Sequence, residues 1–278
     1  MMTVGFIGLG DMGGAMAQRI VDAGFPTVLW ARRPEALAAY EGPNVEPAES
    51  PADLASRSDL VGVCVWADQD VRDVLEGDNG VFAGSKPGTV IAIHSTIAPA
   101  TCRELAAVAA ERSVIVLDVP VSGGRDIALA GSLAIAVGGD EQAAERCRPV
   151  FESFGDPVVY VGPVGAAQSV KLINNALLAA NLALADDALT LGDAFGIRGD
   201  ALAQMLRTGS GRSFGLDVAM GARTSSEVRE QARPALAKDV DALAAFASSQ
   251  GDANAALLLR ASGEAVARLA KPPQGWVQ

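Results

Sequence analysis

The feature that most constrains this 278-residue chain is a glycine-rich turn between an apolar segment and a helical segment near its start. Residues 3–7 predict a buried strand, Gly8-Leu9-Gly10-Asp11-Met12-Gly13 follows directly, and residues 15–23 predict a helix. Gly8 permits a tight turn, Gly10 lets the backbone approach a pyrophosphate, and Gly13 lets the helix pack closely on the strand. The pattern therefore indicates a dinucleotide site at a helix N-terminus. The alternative is a glycine-rich turn in some other doubly wound protein.

The end of the second predicted strand, residues 27–31, bears on which dinucleotide would bind. An NAD site usually has Asp or Glu there, which accepts a hydrogen bond from the ribose 2′-hydroxyl. This chain instead has Trp30-Ala31-Arg32-Arg33-Pro34, and its first carboxylate there is Glu35, beyond the proline. Two guanidinium groups can form bidentate bonds to the 2′-phosphate of NADP. The sequence thus favours NADP over NAD, with solvated loop arginines as the alternative interpretation.

Alternating strands and helices are predicted for the rest of this region. Strands are predicted at residues 60–65, 88–93, 114–119, 132–137 and 157–161, with helices at 51–58, 68–75, 99–112 and 141–154. Since ligands of open α/β sheets lie beyond the carboxyl ends of strands, Val65 and Trp66 are predicted to flank the cofactor. Ser95 and Thr96 either cap the next helix or contact a ligand. His94 is interpreted as a structural histidine rather than a general base.

Two polar clusters are candidates for a substrate site. Ser122-Gly123-Gly124 follow the fifth predicted strand, so a hydroxyl and consecutive backbone N–H groups can together hold a carboxylate. An ordinary tight turn is the alternative. Lys171 and Asn175 share one face near the start of a long predicted helix, where they can act on a small oxygenated substrate. The alternative is a lysine that extends to solvent and a surface asparagine.

The long helix, from Gly165 to about Phe195, is predicted to be the spine of a second domain. No strand is predicted after residue 161, and further helices are predicted at 201–206, 228–249 and 253–269. The second of these is expected to begin either at residue 228 or at Pro234. Residues 173, 177, 180 and 184 are apolar at helical spacing, so this face is predicted to be buried. We expect a Rossmann-type doubly wound domain over residues 1–161 and an all-helical domain over 162–278.

Composition limits the classes of partner. The net charge of −11 opposes nucleic acid and anionic membrane surfaces, but it allows a local basic site for a small anion. Three cysteines without a CxxC spacing and a single histidine indicate reduced thiols, a cytoplasmic protein and no metal site. No signal peptide is predicted, and the uncharged run at residues 172–185 is too short and too polar to cross a bilayer.

Together these motifs resemble those of the β-hydroxyacid dehydrogenases, the family of 3-hydroxyisobutyrate dehydrogenase, over nearly the whole chain. Four motifs occur in the family's order. They are a cofactor motif at Gly8 to Ala17, which includes Leu9 and Met12; a substrate motif at Asp118 to Gly124, with Ala128 and Gly131; a catalytic motif at Gly162, Gly165, Lys171 and Asn175; and a late cofactor-side motif at Lys238-Asp239. The combination is far more specific than any single motif.

The resemblance implies an oxidoreductase that interconverts a small β-hydroxyacid and its semialdehyde or keto acid, in a homodimer or larger homo-oligomer. Lys171 would donate or accept the proton and Asn175 would orient it, while Ser122 to Gly124 would hold the substrate carboxylate. Thr96 and Lys238 would lie near the nicotinamide. Burial is expected to lower the pKa of Lys171.

Alternative functions are an imine-reductase-like NADPH enzyme and a non-catalytic NADP-binding module. Lys171 argues against both, because those proteins typically have another residue at this position. A 6-phosphogluconate dehydrogenase has a related helix but carries His where Asn174 stands. His94 occupies a position where the family often has Asp, and the tail at residues 271–278 differs from the family's pattern. Arg125 and Arg212 belong to none of the motifs, and either can meet a second acidic group on a substrate.

Overall fold

A nine-stranded sheet organises the first of two units into which the chain divides, Met1–Lys171 and Leu172–Gln278. The computed structural model describes residues 2–40, 42–249 and 255–272. Residues 253–254 of the last predicted helix, and the tail from residue 273, lie outside the described residues. The strands are β1 (Val4–Ile7), β2 (Thr27–Trp30), β3 (Val45–Pro47), β4 (Leu60–Val63), β5 (Val90–Ile93), β6 (Ile115–Asp118), β7 (Val121–Ser122), β8 (Leu133–Gly138) and β9 (Gly155–Gly162).

The strand order is β3-β2-β1-β4-β5-β6-β8-β7, and β9 pairs with β8. Strands β3 to β6 along this path are parallel, whereas β8 runs antiparallel to both β6 and β7. The register aligns Ile7 with Val63, Val63 with Ile93, and Ile93 with Asp118. The carboxyl ends of β1, β4, β5 and β6 therefore form one row. Ligands of doubly wound sheets bind along such a row, next to the point where strand order reverses.

Helices cover both faces of this sheet. They are α1 (Asp11–Asp22), a 3₁₀ helix (Pro34–Ala39), α2 (Pro51–Ser56), α3 (Asp68–Glu76), α4 (Val81–Gly84), α5 (Pro99–Ala110), α6 (Arg125–Leu129) and α7 (Glu141–Phe151). Successive side chains of a strand point to opposite faces, so Phe6 belongs to one hydrophobic core and Ile7 to the other. Burial on both faces explains why the central parallel strands β1, β4 and β5 are nearly continuous apolar runs.

The second unit contains only helices among its described residues. The helix α8 (Ala166–Ala194) begins in the first unit and continues into the second, followed by α9 (Gly199–Thr208), α10 (Phe214–Thr224), α11 (Ser226–Ser249) and α12 (Ala256–Leu269). Its main core joins Leu182 and Leu189 of α8 to Leu216, Val240 and Leu269. The predicted fold class, a Rossmann-type doubly wound sheet followed by an all-helical region, is confirmed.

The expected buried face of α8 is wrong, and so is the alternative in which α11 begins at Pro234. The α8 face predicted to be buried is largely exposed, at 52% for Ile173, 52% for Leu177 and 60% for Leu184. The buried face instead carries Leu172 and small alanines, because α8 is apolar on more than one side and periodicity cannot say which side packs within the chain. The helix α11 begins at Ser226, and Pro234 lies inside it.

Candidate functional site

The turn after β1 has the backbone geometry that its glycines predict. Gly8 has φ +96°, and a Cβ there would collide with the carbonyl oxygen of Cys64. A Cβ on Gly13 would collide with the carbonyl oxygen of Gly8, so α1 packs directly on the turn. Apart from Gly10 itself and its two chain neighbours, no atom of the described residues lies within 4 Å of the place where a Cβ on Gly10 would stand. The turn is therefore closely packed at Gly8 and Gly13, whereas the space beside Gly10, at the N-terminus of α1, is open.

A cavity of about 370 Å³ adjoins this turn. Its lining contains several of the predicted cofactor residues together with apolar neighbours: Ile7, Gly8, Leu9, Gly10, Trp30, Ala31, Arg32, Arg33, Ala36, Val65 and Val74. The volume is in the range of small-molecule sites. Two predicted cofactor residues are not part of this lining, since Met12 packs against the core and Gly13 is buried.

Charge at one end of the cavity comes from Arg32 and Arg33, both exposed. Although β2 carries no carboxylate at its end, Asp70 of α3 reaches Arg32, with 3.3 Å between Nη2 and Oδ1. Asp70 also accepts a hydrogen bond from the backbone N–H of Ala67 at 3.1 Å. Sequence reasoning missed Asp70, because no local pattern shows that α3 returns to the end of β2.

A second polar cluster lies at the ends of β6 and β7. The half-buried Lys171 donates a hydrogen bond from Nζ to Ser122 Oγ at 3.0 Å. Asp118 holds the start of α8, since its carboxylate accepts from the N–H groups of Gly165 and Gln168, each at 2.9 Å. Burial raises the pKa of Asp118, and these N–H groups oppose that rise. The structure thus brings together the predicted base and the predicted substrate hydroxyl.

The turn after Ser122 requires glycine. Gly123 has φ +147° and Gly124 has φ +87°, conformations that other residues rarely adopt. A Cβ on Gly123 would meet Ile127 and Leu133, whereas the position beside Gly124 is open. This geometry leaves backbone accessible next to the Ser122 hydroxyl.

Asn175 lies in the second unit, in a buried pair with a carboxylate. Its Nδ2 donates to Asp239 Oδ2, and its Oδ1 accepts from Asn174 Nδ2 at 3.1 Å. Lys238 Nζ is 3.8 Å from Asp239 Oδ1. The orientation of the Asn175 amide is therefore set by α11, which the sequence did not indicate.

His94 lies in the core of the first unit. Its ring centroid is 5.8 Å from that of Phe6 and 5.6 Å from that of Phe154, and Nδ1 lies 2.9 Å from the carbonyl oxygen of Val119. Burial lowers the pKa of His94 to about 4. This neutral, enclosed ring agrees with a structural histidine.

Ser95 links two strand ends and does not cap the following helix. Its Oγ accepts from the backbone N–H of Val65 at 2.8 Å. The N-cap residue of α5 is Ala98, whose N–H donates to Asp68 at 3.0 Å. Thr96 follows in the same loop, and Trp66, after β4, is 63% exposed. Neither of these two lines the cavity at the glycine turn in the described part of the chain.

Arg125, one of the two arginines that belong to none of the motifs, has a partner within the chain. Its Nε lies 3.3 Å from Asp11 Oδ1, and both side chains are exposed. Arg212 is exposed in the loop before α10. None of the described helices is long and apolar enough to cross a bilayer. The described residues contain no group of three or more His, Cys, Asp or Glu placed to hold a metal ion.

Comparison with known proteins gives matches along most of the chain. Residues 3–162 match the family model described as the NAD binding domain of 6-phosphogluconate dehydrogenase, and residues 165–272 match the NAD-binding domain of NADP-dependent 3-hydroxyisobutyrate dehydrogenase. The NAD-dependent L-serine dehydrogenase of Pseudomonas aeruginosa is 38% identical over 218 residues, which are 78% of this chain and 73% of that protein.

Solved structures match at full length. The 3-hydroxyisobutyrate dehydrogenase of Mycobacterium tuberculosis, solved with L-serine, gives a TM-score of 0.83 at 26% identity, covering 99% of this chain and 96% of that one. Psf3, solved with NADP⁺ and 2-OPP, gives 0.80 at 28% identity, covering 98% and 96%. The matches include an NAD-dependent enzyme and an NADP⁺ complex, so they do not distinguish between the two cofactors.

Proposed function

The chain belongs to the β-hydroxyacid dehydrogenase family, and from that premise we propose that it is an NADP-dependent oxidoreductase that interconverts a small β-hydroxyacid and its semialdehyde or keto acid. The observation that carries the proposal is the 3.0 Å hydrogen bond from Lys171 to Ser122. This hydrogen bond lies near the carboxyl end of β6, in the same row of strand ends as β1 and the glycine turn that follows it. An acid–base group and a dinucleotide turn then share one edge of one sheet.

The residues around the glycine turn fit NADP. The open space beside Gly10 admits a pyrophosphate, and Arg32 and Arg33 supply cations for the 2′-phosphate where β2 supplies no carboxylate. Arg32 would then pair both with Asp70 and with the 2′-phosphate. When bound, the nicotinamide supplies or accepts the hydride. Family resemblance adds Trp66, Thr96 and Lys238 as residues near the nicotinamide.

Proton transfer is assigned to Lys171. In the reducing direction its ammonium donates a proton to the carbonyl oxygen as negative charge develops there, and in the oxidising direction its neutral amine accepts that proton. The Ser122 hydroxyl, with the N–H groups of Gly123 and Gly124, holds the substrate carboxylate near this ammonium. Asn175, one turn further along α8 and fixed by Asp239, orients the reacting groups.

We propose a homo-oligomer, because α8 presents apolar side chains to solvent. Ile173, Leu177, Leu184 and Leu191 are each more than half exposed and recur on one side of the helix. Surfaces of this kind mark protein–protein contacts, and symmetric self-association is the commonest. The three cysteines are not joined in disulfides, which supports the cytoplasmic location proposed from the sequence.

The substrate class is tested by a rate screen. Methylmalonate semialdehyde, succinic semialdehyde, glyoxylate and tartronate semialdehyde should be assayed with NADPH and with NADH, and L-serine with NADP⁺ and NAD⁺. Serine is included because it is bound in the M. tuberculosis structure and named for the P. aeruginosa relative. NADPH consumption with at least one small carboxylate supports the proposal. Tight NADPH binding without turnover of any of them would instead indicate a binding module.

The cofactor assignment has its own test. The double variant Arg32→Ala/Arg33→Ala should raise the KM for NADPH at least about tenfold and change that for NADH much less, since each charge-assisted bond contributes about 1.5–3 kcal/mol. Arg198→Ala is the matched control, because this exposed arginine of the second unit pairs only locally with Asp200. Equal effects of the double variant on both cofactors would remove the 2′-phosphate argument.

A further inference from the structure

Gln168, in the first turn of α8, is wholly buried although its side chain is polar. Both ends of its amide have partners: Oε1 accepts from the backbone N–H of Ile97 at 3.1 Å, and Nε2 donates to the carbonyl oxygen of Ser95 at 2.8 Å. A buried amide satisfied in this way is costly to replace. One side chain therefore fixes the loop after β5 at two points, on either side of Thr96.

The loop held by Gln168 belongs to the cofactor edge of the sheet. Ser95 Oγ accepts from the N–H of Val65 at 2.8 Å, and Val65 lines the cavity beside the glycine turn. Movement of Ser95 would therefore disturb a residue of that cavity's wall. Gln168 thus acts on the cavity through two successive hydrogen bonds.

The other side of Gln168 leads to Lys171. The backbone N–H of Gln168 donates to Asp118, which fixes the start of α8 to the end of β6. Lys171 follows three residues later in the same helix, where side chains three apart are neighbours, and its ammonium donates to Ser122. Gln168, at the start of α8, therefore contacts the end of β6 through its backbone and the loop after β5 through its side chain.

We propose that Gln168 is a positioning residue that sets the separation between the cofactor-side loop and the ammonium of Lys171. This inference rests on the proposed function. Hydride and proton transfer need groups placed to within about 0.5 Å, and a misplacement of about 1 Å can lower turnover about 10²-fold. Loss of the Gln168 amide should therefore lower kcat and leave cofactor binding by Arg32 and Arg33 nearly intact, because the amide bonds to Ile97 and Ser95 rather than to these arginines.

The test compares Gln168→Leu, which keeps the size of the side chain but removes both hydrogen bonds, with Gln18→Leu. Gln18 is the matched control because its amide bonds only to Asp22 on the surface of α1. In Gln168→Leu we expect kcat to fall at least about tenfold, the NADPH Kd to change less than about threefold, and the isotope effect on kcat with NADPH deuterated at the transferred position to rise. Gln18→Leu should match the wild type in all three.

A measurement on the cofactor-free protein makes the test independent of turnover. In hydrogen-exchange mass spectrometry, the segment containing Ile97 should exchange at least about tenfold faster in Gln168→Leu, because its N–H has lost its acceptor. If Gln168→Leu does not fold, Gln168→Glu retains the shape and an acceptor for Ile97 but, when ionised, no donor for Ser95, and the kcat loss should persist.

The inference and the proposed function fail on different results. A folded Gln168→Leu protein with unchanged kcat and unchanged hydrogen exchange at Ile97 would contradict the positioning role. If kcat, NADPH affinity and the thermal midpoint all fell together, the role of Gln168 would be merely structural. A wild-type protein that turns over no carboxylate would overturn the proposed function and this inference with it. Wild-type turnover with a normal Gln168→Leu variant would contradict the positioning role alone.

Discussion

At the scale of single residues, the glycines of the turn after β1 have separable roles. Gly8 and Gly13 are required by the fold, since a side chain at either would strike backbone. Gly10 has φ −76° and ψ −164°, which any residue can adopt, and nothing lies near its missing Cβ. The fold does not need glycine at position 10, so we attribute the glycine to the access that it gives a ligand to the backbone.

Gly10→Ala should therefore weaken NADPH binding without destabilising the protein. The added methyl group occupies the space that a pyrophosphate needs, and overpacking of about 1–3 kcal/mol raises the Kd about five- to 150-fold. Titration calorimetry and the thermal midpoint check the two halves of the prediction. Gly263→Ala, at an open position in α12, is the control and should leave the Kd unchanged. An unaltered Kd in Gly10→Ala would show that the turn does not hold the cofactor.

His94 should make the protein acid-sensitive. Its folded-state pKa of about 4 lies below the ordinary value of 6.5, so the folded protein keeps the ring neutral while the unfolded chain protonates. The contribution of the neutral His94 ring to the free energy of unfolding is complete above pH 6.5 and is lost as pH falls towards 4. Between pH 7 and pH 5 it should amount to about 2 kcal/mol.

Urea titrations of the wild type and His94→Asn at both pH values isolate this effect, since other titrating groups are common to both proteins. The wild type should lose about 2 kcal/mol more than the variant between pH 7 and pH 5. Parallel losses in the two proteins would show that His94 is not the sensor.

At the scale of elements, the sequence is informative where one local rule governs the outcome. The parallel strands β1, β2, β4, β5 and β6 are apolar runs that end at turns, so their positions were predictable, whereas the short, polar and largely exposed β3 was not predicted. The helix α10 was not predicted, because Gly215 and Gly221 lower its helix propensity. Gly215 lies against the backbone of Asn181 and Leu182, where a Cβ would collide. Close helix packing, which no local window contains, explains both this helix and the misassigned face of α8.

The helices of the second unit are joined by a buried charge cluster around Arg223. This guanidinium, 2% exposed, lies 2.9 Å from Asp186 and 2.8 Å from Asp193, and it also contacts Thr190. Since α8 supplies these partners and α10 supplies the arginine, the cluster fixes the two helices together.

Arg223→Met should lower the free energy of unfolding by about 3–5 kcal/mol, because the partly buried carboxylates of Asp186 and Asp193 lose the guanidinium that they share, although Asp186 also pairs with Arg268. Urea titration followed by circular dichroism measures the change. Arg198→Met, which breaks only the exposed pair with Asp200, should leave the midpoint unchanged. Equal midpoints for the two variants would mean that the cluster does not stabilise this unit.

At the scale of the whole molecule, the sequence motifs contain several residues that the structure brings together, but they do not show the contacts that hold these residues in place. Gly8, Arg32 and Val65 line one cavity, and Lys171 meets Ser122, as contiguous motifs had suggested. The supporting contacts join distant positions; Gln168 and Ile97 are 71 residues apart. Such partners depend on sheet register and helix entry, which are set by packing across the chain.

Self-association can be tested at the exposed apolar face of α8. Leu184→Glu places a charge in that face and should convert the proposed oligomer to a monomer in light scattering coupled to size exclusion, because burying an unpaired carboxylate opposes association. Val159→Glu, at a half-exposed position of β9 in the first unit, should not. A wild-type protein that is monomeric at micromolar concentration would contradict the proposed assembly.

The most direct test of the account concerns the ammonium of Lys171. Steady-state NADPH oxidation should be compared for the wild type and Lys171→Ala with the best carboxylate from the rate screen, alongside the NADPH Kd of each protein. We expect kcat of Lys171→Ala to fall at least about 10²-fold, with a Kd within about threefold of the wild type. A folded Lys171→Ala protein with near-normal kcat would contradict this expectation.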